Sequence, residues 1–361
     1  AAIRMTEARH CIVEGCAFRY HAPFPFAWGE GDNAASAGIL VAGAGNTIRN
    51  CSISHAWGGG ISVNGPRCVI ENNWLEDLTW AATSTPISFT NADVIVRHNS
   101  IQRCAGTGII GAQAGSTLVK RPQILFNDIG DTGFFLQDSG QSAIYVANGD
   151  APSEERSLEG GVIAYNWIGR IHVPVANGRG FGIYVDDGTD HVTIHHNLIN
   201  AGGEINSAIF LHYNGHRDDD IGVYNNTLWG YREYAVHFAG NWDGCGGGTV
   251  NCRVENNLSE KGGYRSKDPI ANTSFAHNGA DAPPSEFVNP AGGDFRLRPG
   301  AQAVDKGVMI PGVTDAVRDG KPDLGAYELG SQWRAGATPI PMISAVHTER
   351  KQTASGKGRK P

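Results

Sequence analysis

Ile70-Glu71-Asn72-Asn73-Trp74-Leu75, Val96-Arg97-His98-Asn99-Ser100-Ile101, Ile163-Ala164-Tyr165-Asn166-Trp167-Ile168, Ile194-His195-His196-Asn197-Leu198-Ile199 and Val223-Tyr224-Asn225-Asn226-Thr227-Leu228 are five copies of one pattern, aliphatic-x-x-Asn-x-aliphatic. Shortened copies read Leu125-Phe126-Asn127-Asp128-Ile129 and Val254-Glu255-Asn256-Asn257-Leu258. Cys16 and Cys51 occupy the Asn slot in two earlier copies, and Asn278 occupies it in a last, weak one. Successive slots lie 35, 22, 26, 28, 39, 31, 29, 31 and 21 residues apart. A repeat in that range is the mark of a solenoid.

A second apolar stretch precedes each motif, as in Ile61-Ser62-Val63, Ile87-Ser88-Phe89, Ile144-Tyr145-Val146, Ile183-Tyr184-Val185 and Ile209-Phe210-Leu211. Alternate residues are apolar, the period of a strand with one face inside. Sustained helical periodicity is lacking, so the chain reads as all-β. Short strands joined by turns stack as coils about 4.8 Å apart. Asn in every coil can bond its copies above and below and tolerates the left-handed backbone of a tight turn. The reading is a parallel β-helix of about ten coils over residues 1–290, a C-terminal capping segment over 291–330, and a disordered or extended tail over 331–361.

Net charge is −7 and no basic stripe precedes the C-terminus, which argues against a nucleic-acid partner. No apolar run reaches membrane-spanning length. The seven cysteines show no paired C-x-x-C spacing, and their odd number excludes a complete disulfide framework within one chain. Cys245 and Cys252 flank a Gly-rich loop and can pair; buried free thiols are the plainer reading. Ile3-Arg4-Met5 already reads as a strand, so an N-terminal portion with its cap is expected to be missing. Secretion, or a periplasmic or cell-surface location, is therefore compatible with the lack of a signal peptide.

The Asn coils, the segment Gly182-Ile183-Tyr184-Val185-Asp186-Asp187-Gly188 and the closing Asp294-Phe295-Arg296-Leu297-Arg298-Pro299-Gly300 through Pro322-Asp323-Leu324-Gly325-Ala326-Tyr327-Glu328 resemble bacterial right-handed parallel β-helix carbohydrate-active proteins. The resemblance covers the chain to about residue 330. It implies a polysaccharide substrate or ligand. Gly-Ile-Tyr-Val-Asp-Asp-Gly is similar to a segment of β-helix glycosidases of the xylanase and fucosidase kind, which implies catalytic roles for Asp186 and Asp187. The motif series of polygalacturonases and alginate epimerases are not present.

With Ile183 and Val185 inward, Tyr184 and Asp186 face outward. One outer row then reads Tyr145, Tyr184, Phe210, His237, and its neighbour reads Ala147, Asp186, His212, Ala239. Exposed aromatics stack on pyranose rings, and carboxylates and imidazole move protons. Adjacent strand residues point apart, so Asp186 and Asp187 share a site only if the chain turns at Gly188. Glu204 and Asp138 are rival second carboxylates. His172 and Arg179 lie in the loop ahead of the Tyr184 strand, and Arg179 suits a substrate carboxylate or sulfate. No cofactor is required. Calcium at Asp186–Asp190 or Arg217–Asp220 is a minor option beside solvated acidic turns. Because few Lys and Arg lie near this face, glycoside hydrolysis leads. A polysaccharide lyase, with His212 or Tyr184 as base, and a non-catalytic glycan-binding solenoid are the alternatives.

Overall fold

The computed structural model describes residues 1–21, 37–80, 85–134, 141–149, 151–174, 178–240, 247–317 and 320–338. Strands dominate, and the only helical pieces among these residues are three short 3-10 turns. Ten parallel strands, from Ile12–Glu14 to Ser274–Ala276, form one sheet with a strand from each coil. A larger parallel sheet joins the other two strands of the coils. The solenoid expected from the repeat is thus the fold.

Register explains the periodicity. Ile39, Ile61, Ile87, Ile109, Ile144, Ile183, Ile209 and Val236 stack coil upon coil, each essentially inaccessible to solvent. Burying one such side chain stabilises the fold by roughly 2 kcal/mol. The coil gains further strength at its corner. Asn73, Asn99, Asn127, Asn166, Asn197, Asn226, Asn257 and Asn278 form one ladder, in which each side-chain oxygen from Asn99 onward accepts both the backbone N–H and the side-chain amide of the Asn before it. Cys51 fits the slot: its N–H donates to Asn73 Oδ1 at 2.9 Å, and its thiol donates to the Arg49 carbonyl.

The left-handed backbone is displaced by one position from the sequence reading. It falls on the residue before the ladder Asn, as at Asn72, His98, Phe126, Tyr165 and His196, each with φ between 52° and 57°. These side chains point outward and form their own stack: His98 on Phe126, Phe126 on Tyr165 and Tyr165 on His196, with ring centroids 4.8–5.0 Å apart.

Beyond the last coil, Phe287–Asn289 pairs antiparallel with Asp294–Leu297. Phe287, Phe295, Leu297 and Leu324 pack against Leu198, Leu258 and Trp229 on the flank of the coils. The chain then runs back along the solenoid. Trp333 abuts Phe126 and Tyr165 edge-on, and the Thr338 N–H donates to Asn72 Oδ1 at 2.7 Å. Residues 331–338 are therefore an extended strap across the aromatic stack. Cys16, Cys51, Cys68, Cys104 and Cys252 are free thiols, as is the exposed Cys11; Cys245 lies outside the described residues.

Candidate functional site

The two outward rows stand in the expected register. Tyr145 is paired with Tyr184, Tyr184 with Phe210, and Phe210 with His237; Ala147 is paired with Asp186, and His212 with Ala239. The strand Gly180–Asp186 ends where Asp187 and Gly188 adopt positive φ, 58° and 66°. That turn brings Asp186 and Asp187 together with His212: one ligand atom from each lies within 4.8 Å of the others.

Asp186 is held from three sides. The Tyr145 hydroxyl donates to its Oδ2 at 2.9 Å, and the Asp187 N–H donates to its Oδ1 at 2.7 Å. His212 Nδ1 bonds the same Oδ1. The Tyr184 hydroxyl lies 3.3 Å from His212 Nδ1. Burial and the neighbouring Asp186 push the Tyr184 hydroxyl far above its usual range, so it stays protonated. His212 is 2% exposed, and its Nε2 has no hydrogen-bond partner. Asp187 accepts from Asn214 Nδ2 at 2.7 Å, and its carboxylate fills the space a side chain on Gly149 would need.

The aromatic row corrects one expectation, because it is not an exposed platform. Tyr184 and Phe210 are 9% and 6% exposed. Phe181 covers them, stacked on Phe210 at 4.4 Å and tilted against Tyr184 at 4.8 Å. Strict alternation would put Phe181 inside with Ile183. Instead two consecutive residues enter the core on neighbouring strands, Ala143-Ile144, Ala208-Ile209 and Ala235-Val236. This irregularity turns the preceding position outward. His237 stacks on Tyr234 at 4.0 Å, and burial lowers its pKa to about 4, leaving it neutral.

The remaining candidates stand apart from Asp186. Glu204 pairs with Arg170 at 3.0 Å and accepts the Val173 N–H. His172 sits between Asp131 and Glu204, stacked on Phe134 at 4.0 Å. Arg179 is exposed and lies near enough to His237 to help keep it neutral. Asp138 falls outside the described residues. His195 and His196 belong to the outer aromatic stack, with burial lowering them to about 4 and about 3.

The acidic turn at Arg217–Asp220 is not solvated throughout. Asp218 is fully buried, and neither of its oxygens has a partner. Burial, with Asp190 and Asp186 nearby, pushes its carboxyl well above the usual range. For a cation, the set Asp186, Asp187 and His212 is the better donor group. Two carboxylates and an imidazole suit a transition metal, whereas calcium favours all-oxygen ligands.

Comparison with known proteins bears on the fold. A family model described as a right handed beta helix region matches residues 37–150. A comparison with curated protein sequences gives no match. Among solved structures, the chain is similar to pectate lyase Pel9A, with a TM-score of 0.42 and 13% identity over 79% of this chain and 80% of that one. It is also similar to the PL6 family alginate lyase AlyGC, with a TM-score of 0.40 and 13% identity over 76% of this chain and 47% of that one. It thus spans less than half the length of the alginate lyase. The chain is a right-handed parallel β-helix.

Proposed function

We propose that this protein cleaves a uronate-containing polysaccharide by β-elimination, with the Asp186–His212 pair moving the proton. The observation that carries this reading is the state of the His212 ring: Nδ1 engaged by Asp186 and Nε2 without a partner. A carboxylate at Nδ1 fixes the proton there and leaves the lone pair on Nε2. That is the form a general base needs. The base would take the proton beside the uronate carboxyl. Its electron pair becomes the carbon–carbon double bond as the bond to the glycosidic oxygen breaks. The proton taken up on Nε2 is then passed to the departing oxygen, while Tyr184, which burial and Asp186 keep protonated, lies beside the Nδ1 edge of the ring. Substrate reaches Nε2 only when the side chains over it move.

Hydrolysis is the second reading, favoured by the closeness of Asp187 to Asp186. Retaining glycosidases place two carboxyl groups about 5–5.5 Å apart. Against it, the contacts of Asp186 are with donors on both oxygens, which leaves neither free to protonate a leaving group.

Incubation with acidic and neutral polysaccharides tests the proposal, reading reducing ends together with the ultraviolet absorbance of unsaturated uronates. Both signals are expected on acidic glycans, and His212→Gln should lower turnover by roughly 10²-fold or more with an unchanged melting transition. Reducing ends without absorbance would refute elimination and select hydrolysis. Glycan binding without either signal would make the protein a binding solenoid.

A further inference from the structure

The row that carries Asp186 and His212 continues toward the N-terminal coils. Ala147 pairs with Asp186, Ala112 with Ala147, and Asn64 with Thr90, with Phe89 paired to Gly111 between them. Thr90, Ala112 and Ala147 are all small; Thr90 and Ala147 are buried, and the Thr90 hydroxyl donates to the Thr117 carbonyl, so a glycan on this row runs over the segment around Thr117. At its far end Thr6, Ala42 and Asn64 line a cavity of about 750 Å³. Its glycines stand where successive coils pack closely. A Cβ on Gly43 would lie 2.1 Å from the Ala8 carbonyl oxygen, and one on Gly65 would lie 2.1 Å from that of Gly43.

Arg9 and Arg67 line the cavity and are exposed. Neither guanidinium has an ion pair or hydrogen bond among the described residues. Four arginines of neighbouring coils are matched: Arg49 with Glu14, Arg97 with Glu71, Arg103 with Asp77, and Arg121 with Asp93. Asp93, which Arg67 also influences, is paired with Arg121. Glu7 also lines the cavity, leaving two cations to one anion.

We infer that this cavity is a subsite for an anionic sugar, in which Arg9 and Arg67 grip the carboxylate or sulfate of a glycan lying along the row toward Asp186. Guanidinium forks suit such oxyanions. Four coils separate Asn64 from Asp186, roughly 19 Å at about 4.8 Å per coil, so one chain of several sugars reaches both. The inference rests on the reading of the Asp186 row as a glycan site, and it narrows the substrate to an acidic glycan.

Calorimetric titration of the full chain tests it, in the His212→Gln background so that bound glycan is not consumed. The probes are an oligogalacturonate size series, the carboxyl-reduced counterparts, and a sulfated oligosaccharide. Affinity should step up at the length that spans roughly 19 Å. Arg9→Gln with Arg67→Gln should weaken acidic binding by roughly tenfold per arginine, flatten its salt dependence, and leave any binding of the reduced sugars unchanged. Equal affinity of the double variant and its parent would overturn the subsite, as would no acidic binding at all. Binding of the sulfated probe alone would uphold the subsite and sink the uronate reading. Arginine-dependent binding of uronates without turnover of the wild-type chain would uphold the subsite and sink only the proposed reaction.

Discussion

Asp218 offers a direct test of the interior. It is fully buried with both oxygens unpartnered, on an inward position where Thr249 follows in the next coil. Its carboxyl titrates well above the usual range, chiefly through burial. The unfolded chain releases this proton near pH 3.9. Below that pH both states are protonated and the residue carries no charge penalty. Above it the unfolded state ionises first, so stability falls by about 1.4 kcal/mol per pH unit until the folded carboxyl also ionises. Asp218→Asn removes this slope. Its amide adds donors that also lack partners, but that cost is the same at every pH. Urea denaturation of both proteins across a pH series, from about 4 upward, isolates the difference. The variant should gain on the parent as pH rises, with the two closest at the acid end. Parallel stability curves would show that Asp218 is not the buried, unpaired group described.

The ladder and the dyad make two further predictions. Asn127→Ala removes bonds to the Val96 carbonyl and Asn166 and strands the Asn99 N–H, costing about 3–5 kcal/mol in denaturant; a cost below about 1 kcal/mol would mean the stack of isoleucines alone holds the coil. Dialysis against a chelator should leave turnover intact if His212 is the base, whereas loss restored by a divalent transition metal would recast Asp186, Asp187 and His212 as its ligands.

Where one residue type recurs at one place, its role was legible in the sequence. The Asn slots gave the coils, and period-two alternation gave the pairing of Asp186 with His212, because stacking in register turns sequence rows into neighbours. Alternation failed where it was broken. Nothing in Phe181-Gly182-Ile183 announces that Gly182 lies over Ile199 while Phe181 turns outward; only the paired Ala-Ile steps of neighbouring strands hint at it. Asp218 was misread because three consecutive aspartates look like a solvated turn, while the strand Arg217–Asp219 points the middle one inward. Arg9 and Arg67 escaped notice because they are distant in sequence from Asp186, and only the register of the intervening coils puts their cavity at the end of its row.

The placement of the dyad follows from strand length. Early coils use strands of three to five residues, but Gln141–Ala147 and Gly180–Asp186 have seven, Thr227–Ala239 has 13 and Leu198–His212 has 15. The last two run through a corner that earlier chains break, because Gly202, Gly203 and Gly230 accept positive φ there. Asp186 and His212 therefore terminate long strands inside an extended hydrogen-bonded sheet, and a side-chain pair held by strands keeps its geometry better than one on loops. Glu204 shows the converse. It lies on the same long strand as His212, but beside the glycine corner, where the chain has turned toward the preceding face, and its carboxylate goes to Arg170 and His172. Its nearness in sequence to His212 is cancelled by that corner, whereas Asp186, 26 residues away, is brought into contact by a single coil.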